Sequence, residues 1–180
     1  LSGGLNKEKL LEENIKLWDV STGKEIQTFE GHVIGVLSVA FSPDGKYILS
    51  AGSVFTIKLW DVSTGKEIRT FESHTDIVEF VTFIPLFSNG KYVLSGSWNK
   101  TINFWNVSTG EKIRTFIGHT EAVKCVAFSP NGEFIVFGGS DGIIDLWKIK
   151  PNRRMIRIFL GHTDSINSVA FSPNGKYILS

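Results

Sequence analysis

The 180-residue sequence predicts an all-β fold in which one four-stranded antiparallel unit is used four times. Three observations predict it. Trp18, Trp60, Trp105 and Trp147 recur at intervals of 42, 45 and 42 residues, and a period in the low forties marks a repeat architecture. Short apolar runs closed by turns come about every eight to twelve residues, with no sustained helical period. Whole phrases also return: VSTGKEI at 20–26 and 62–68, and VAFSP-Asp/Asn-GKYILS at 39–50 and 169–180.

In chain order, Leu1-Ser2 matches the strand ends Leu49-Ser50, Leu94-Ser95 and Leu179-Ser180. The polar stretch 6–13 reads as a lengthened loop. Ile15 to Val20 (IKLWDV) reads as a strand, Ser21-Thr22-Gly23-Lys24 as a turn with glycine free for positive φ, and Glu25 to Phe29 as an alternating, half-exposed strand. After Glu30-Gly31-His32, the run Val36 to Phe41 (VLSVAF) is apolar on both faces and predicts a strand with protein on either side. Ser42-Pro43-Asp44-Gly45 demands a hairpin, Lys46 to Ser50 returns, and IKLWDV at 57–62 restarts the cycle. The third unit carries Pro85-Leu86-Phe87 as an insertion and reads Trp105-Asn106. The fourth reads Trp147-Lys148, and Pro151-Asn152-Arg153-Arg154 replaces its Ser-Thr-Gly turn.

Composition narrows the function classes. Net charge is +1, from 19 basic and 18 acidic residues, and no basic stripe suits nucleic acid. One cysteine excludes an internal disulfide and fits a reducing, cytoplasmic setting. No run approaches a membrane span. LSGGLNKEKL lacks the layout of a signal peptide, and the missing first methionine reads as processing or as an excerpt of a longer chain.

Gly31-His32, Gly118-His119 and Gly161-His162, with Ser73-His74 as a one-residue departure, precede a serine-ending strand and a tryptophan-aspartate close at fixed spacing. Over essentially its whole length the chain resembles the WD-repeat family of β-propellers. The resemblance implies a β-propeller of four-stranded antiparallel blades around a channel, with intact blades at 31–73, 74–117 and 118–160 and a split blade from 1–30 and 161–180. It also implies a hydrogen-bond network in each blade joining a histidine, a serine or threonine, an aspartate and the tryptophan indole. By position these are His32, Ser50 and Trp60, with Val54 where the aspartate belongs; His74, Ser95, Asn99 and Trp105; and His119, Asp141 and Trp147, with Phe137 replacing the serine. His162 and Trp18 belong to the split blade. No blade carries the full set, so weaker networks and more reliance on apolar packing follow.

Histidine, serine and aspartate together suggest a hydrolase, but here the trio recurs at structural spacing, and no G-x-S-x-G elbow is present. The histidines, one per unit, cannot converge on a metal. Cys125 aligns with Ser38 and Ser168 and reads as a buried structural thiol. No cofactor motif stands out. What remains is surface. The family places the Gly-His loops and the turns before each tryptophan strand on one rim, the usual docking face for peptides and protein domains. That rim would carry Phe55, Asp76, Trp98, Lys100, Glu121, Asp141 and Asp164. Trp98 stands where its counterparts are Ser53 and Ser140, and it reads either as a binding anchor or as packing against the next blade.

The chain opens with the last two strands of a unit and closes with the first two of another. Three completions are open: a four-bladed ring within one chain, an eight-bladed ring from two chains, or an excerpt of a longer ring. A four-bladed ring turns about 90° per blade against about 45° for eight, and the gentler turn suits this repeat, favouring the homodimer. The functional reading is a non-enzymatic protein-interaction scaffold. The alternatives are a structural or sensing piece of a larger signalling protein and an enzyme on a propeller frame.

Overall fold

The computed structural model describes residues 14–32, 34–72, 74–84, 90–149 and 154–180. Leu1-Ser2, the 6–13 stretch, Ser73, the 85–87 insertion and Pro151-Asn152-Arg153 lie outside the described residues. All regular structure among the described residues is strand, and no helix there is long and apolar enough to cross a membrane.

Three antiparallel sheets have four strands each, in sequential order. The first joins β3 (Val36–Phe41), β4 (Tyr47–Gly52), β5 (Thr56–Asp61) and β6 (Glu67–Glu72). The second joins β7 (Val78–Phe83), β8 (Tyr92–Ser97), β9 (Thr101–Asn106) and β10 (Lys112–Ile117). The third joins β11 (Val123–Phe128), β12 (Phe134–Gly139), β13 (Ile144–Lys148) and β14 (Arg154–Phe159). A two-stranded piece stands at each end: β1 (Ile15–Trp18) with β2 (Glu25–Phe29), and β15 (Ala170–Phe171) with β16 (Ile178–Leu179). These end pieces are separate sheets and do not pair with each other. Among the described residues, no strand pairing joins the two ends of the chain.

Tight turns set the order. Gly45 N–H donates to the Ser42 carbonyl at 2.9 Å, closing the Ser-Pro-Asp-Gly hairpin, and Ser42 Oγ caps it through Asp44. Asp19 and Asp61, which follow the tryptophans, accept hydrogen bonds from the Ser and Thr of their Ser-Thr-Gly turns. Asn106 does the same in the second sheet. These bonds hold the exposed Asp19 carboxyl down at about 2.

First strands neighbour one another, β3 against β7, β7 against β11 and β11 against β15. This corrects the expectation that VLSVAF has protein on both sides. Val81 and Phe83 of β7 are buried against β3, whereas Leu37, Val39 and Phe41 of β3 are exposed, with no first strand set against that side among the described residues. Each sheet meets the next through one repeated aromatic contact. Phe29 of β2 meets Trp60 edge-on at 6.0 Å, Phe71 of β6 meets Trp105 at 5.8 Å, and Phe116 of β10 meets Trp147 at 4.9 Å. A bulge between the third and fourth strands falls beside Trp18, Trp60 and Trp147, where it re-aims the ring.

Phe159, the counterpart of these phenylalanines on β14, lines an open groove. Truncating Phe71 to alanine removes a buried ring and its Trp105 contact, a loss of about 3–5 kcal/mol. Phe159→Ala in the monomeric chain costs well under half as much, and urea unfolding of the two variants measures the difference.

Candidate functional site

Two layers of residues carry the chemistry of this chain: a buried polar network in each sheet and an exposed rim of loops above it.

In the first sheet, Ser50 sits on β4, Trp60 on β5 and His32 in the loop before β3. Trp60 Nε1–H donates to Ser50 Oγ at 2.7 Å, and His32 Nε2 lies 2.6 Å from the same oxygen. Ser50 Oγ thus accepts from the indole and shares a second hydrogen bond with the imidazole. The second imidazole nitrogen, Nδ1, is buried without a partner, since Val54 occupies the turn position that would answer it. Burial pushes His32 below its usual range, with Lys58 adding to the effect and Glu67 opposing it.

The second sheet completes the arrangement. Trp105 Nε1 donates to Ser95 Oγ at 3.0 Å, His74 Nε2 lies 2.8 Å from that oxygen, and Asn99 Oδ1 receives His74 Nδ1 at 3.3 Å. Asn99 is held in turn by Thr101 and Thr75. The aspartate is absent here as in the expectation, but the Asn99 amide oxygen accepts the imidazole proton in its place. Burial lowers the His74 pKa to about 4; the Asn99 bond opposes the shift and Lys112 adds to it. His74 is thus neutral and positions its loop.

In the third sheet, His119 Nδ1 meets Asp141 at 3.1 Å, and Asp141 also accepts from Thr120 N and Ile143 N. Burial raises the Asp141 pKa, but the Thr120 bond, His119 and the Ile143 bond outweigh it, and the net shift is downward. Trp147 Nε1 has no hydrogen-bond partner, since Phe137 stands where serine would be. At the chain ends the set divides. His162 Nε2 lies 2.6 Å from Ser180 Oγ, while Trp18, 53% exposed, is not brought to them. Cys125 donates weakly to the Gly138 and Ile166 carbonyls, and burial pushes its thiol up to about 11, which leaves it unreactive.

The rim is continuous from sheet to sheet. His74 N–H donates to the Phe55 carbonyl, Lys100 pairs with Glu121 at 3.6 Å, and the Gly142 turn abuts the His162 and Asp164 carbonyls. In each case the turn before a tryptophan strand touches the histidine loop of the next unit. Phe55, Lys100 and Gly142 hold the same turn position with φ of 62°, 70° and 71°. Trp98 is 46% exposed, and its indole donates to Glu79 Oε2 at 2.7 Å. Asp76 is half-buried, with Oδ1 on the Ile77 N–H. Glu121 and Asp164 are exposed.

Sequence reasoning missed three residues that matter here. Arg69 reaches across to the Ser108 and Thr109 carbonyls of the next sheet, Glu79 orients Trp98, and Asp145 lies buried beside His119. The signal for Arg69 was present, because Arg114 and Arg157 recur two residues before their phenylalanines.

The family model described as "WD domain, G-beta repeat" matches residues 23–61, 65–106, 110–148 and 153–180. The chain belongs to the WD-repeat family. Among curated WD-repeat relatives, nuclear distribution protein PAC1 of Arthroderma otae is 41% identical over 51 residues, 28% of this chain and 11% of the relative. Lissencephaly-1 homolog of Heterostelium pallidum is 44% identical over 41 residues, 23% of this chain and 10% of the relative. WD40 repeat-containing protein HOS15 of Arabidopsis thaliana is 49% identical over 37 residues, 21% of this chain and 6% of the relative. The chain thus spans about a tenth or less of the length of these WD-repeat relatives.

Among these repeats the first sheet has the clearest remediable defect. A carboxylate at 54 would accept from the orphaned His32 Nδ1–H, as Asp141 does from His119. Val54→Asp therefore raises stability by about 1 kcal/mol, read as an upward shift in thermal midpoint that Ser53→Asp does not reproduce.

Proposed function

We propose that this chain is a non-enzymatic protein-interaction scaffold that docks a peptide or protein domain on the loop rim. The observation that carries the reading is Phe55. It is 42% exposed and held at φ 62°, a conformation that costs a bulky L-residue roughly 1 kcal/mol or more. Gly142 fills the equivalent turn position without that cost. A large apolar side chain kept on the surface at the expense of stability suits a docking anchor. Trp98, oriented by Glu79, offers a second anchor on the next turn, and Asp76, Lys100, Glu121 and Asp164 supply a polar surround. The balanced charge of +1 supports a protein partner over nucleic acid, and the single cysteine accords with a cytoplasmic setting. Phe55→Gly raises the thermal midpoint by relieving the backbone. Peptides selected from a displayed library against the native chain bind Phe55→Gly/Trp98→Ala at least tenfold more weakly by calorimetry. Undiminished binding to that folded variant removes the rim from consideration.

The propeller is closed, on this reading, by a second copy. The groove at the last sheet, about 600 Å³, is lined by Arg157, Phe159, Ile178 and Ser180. Their counterparts Arg69, Phe71 and Ser50 each hold a residue of a completed unit: a Ser-Thr turn, a tryptophan ring and an indole N–H. The exposed Trp18 and the Ser21-Thr22 turn of a partner are the matching pieces, and its β15 would cover Leu37, Val39 and Phe41. A head-to-tail pair closed twice is two-fold symmetric and eight-bladed. Light scattering then reads about 40 kDa, twice the 20.0 kDa of the chain, and Trp18→Ala halves it. A native mass of one chain overturns the closure and leaves rim docking standing.

A further inference from the structure

The third sheet breaks the pattern of the other two in a way that identifies its own remedy. Ser50 and Ser95 each accept from an indole and share a second hydrogen bond with a histidine. Phe137 occupies that position on β12, buried and stacked 6.4 Å from Phe80. Directly across the strand pair from Phe137 is Asp145 of β13, 1% exposed. Four buried atoms around it have no hydrogen-bond partner: His119 Nε2, Trp147 Nε1 and both Asp145 oxygens. Asp145 Oδ2 lies 3.8 Å from His119 Nε2. Gly118 leaves the carboxyl its room, for a Cβ there would stand 2.5 Å from Oδ2.

The outer strand explains why Asp145 turns inward. At its position Lys58 bonds Thr70 on the fourth strand, and Asn103 accepts from Thr115 there while its amide nitrogen lies 3.3 Å from the His74 ring; both have a fourth-strand partner. Opposite Asp145 stands Ile158, which offers nothing. An ionised carboxylate so enclosed, with no donor within full hydrogen-bond reach and Asp141 already charged on the other side of His119, carries a heavy cost.

We propose that Asp145 is protonated in the folded protein and replaces the missing serine hydroxyl. Its O–H donates to His119 Nε2, and its second oxygen accepts from Trp147 Nε1–H. His119 keeps its Nδ1 proton on Asp141. The arrangement satisfies all four orphaned atoms, and it needs the carboxyl to close about 1 Å toward the imidazole. It reproduces the indole and imidazole partners of Ser50 and Ser95 with a two-oxygen group set one strand further out.

Electrostatics agree with the geometry. Burial pushes Asp145 above the usual carboxylate range, and His119 and the Trp147 N–H pull it back only in part, while Asp141 adds to the rise. His119 and Asp141 are the titratable groups facing it. The folded state then binds a proton that the unfolded state has lost. The Asp145 contribution is full below the ordinary carboxylate value of about 4 and drains away as pH rises through its folded value.

Carbon-13 NMR of the Asp145 carboxyl, assigned by its loss in Asp145→Asn, tests the proposal on the native chain. The expected signal is that of a neutral acid at pH 7, with its midpoint above that of Asp141. Asp145→Asn keeps a donor for His119 and an acceptor for Trp147 without the titration. Its melting temperature at pH 7 is expected to match or exceed the native value by about 2–4 °C, with a smaller gain at pH 4, whereas Asp145→Ala melts lower at both. A carboxyl ionised at pH 7, or Asn as damaging as Ala there, overturns the proposal.

Discussion

A sheet of four strands, each about six residues long, has two broad faces and cannot cover either of them itself. Here the cover is the neighbouring sheet, and the contact that joins them is an outer-strand phenylalanine set edge-on against the next tryptophan: Phe29 on Trp60, Phe71 on Trp105, Phe116 on Trp147. Edge-to-face aromatic pairs contribute about 0.5–1.5 kcal/mol beyond their buried area. The tryptophan does two jobs at once. Its ring belongs to the junction, and in the first two sheets its N–H belongs to the network inside its own sheet. Loss of the ring would loosen a junction and leave a serine and a histidine without their anchor.

This double duty explains a mismatch between the repeat in sequence and the repeat in space. The matched segment 23–61 runs from the outer strand β2 to the third strand β5 of the following sheet, and so contains Phe29 and Trp60 together. Segments 65–106 and 110–148 do the same for Phe71 with Trp105 and Phe116 with Trp147. What recurs along the sequence is therefore a junction between sheets, not a sheet. The segment 153–180 contains Phe159 and no tryptophan, and Trp18 precedes the first segment.

The fold was legible because its signals repeat. Tryptophan spacing, Ser-Pro-Asp-Gly turns and Gly-His pairs each occur in phase, so a departure in one copy does not hide the pattern. The exposure of β3 was not legible, since VLSVAF reads the same whether or not another strand covers it, and the structure leaves Leu37, Val39 and Phe41 exposed. The networks were half legible. Histidine, serine and tryptophan could be placed by position. That Asn99 closes its network where Val54 leaves His32 open follows from side-chain chemistry at one turn. Asp145 was hidden for another reason: it stands at a position filled by lysine and asparagine in the other units, each of which has a threonine, Thr70 or Thr115, to bond on its fourth strand. Only the pairing of Phe137 in front and Ile158 behind redirects it.

Comparison of the three sheets separates what the architecture needs from what it tolerates. The polar set varies in every copy: valine for the acid in one, asparagine in the next, phenylalanine for serine in the third. The phenylalanine-tryptophan junction does not vary at all. A lost hydrogen bond to a buried group costs about 1–3 kcal/mol, which one sheet bears because its neighbours hold it from both sides. A lost aromatic ring would open a gap between sheets that touch only their immediate neighbours. On the loops, Phe55 holds φ 62° against what its backbone prefers, where Gly142 fills the same turn position.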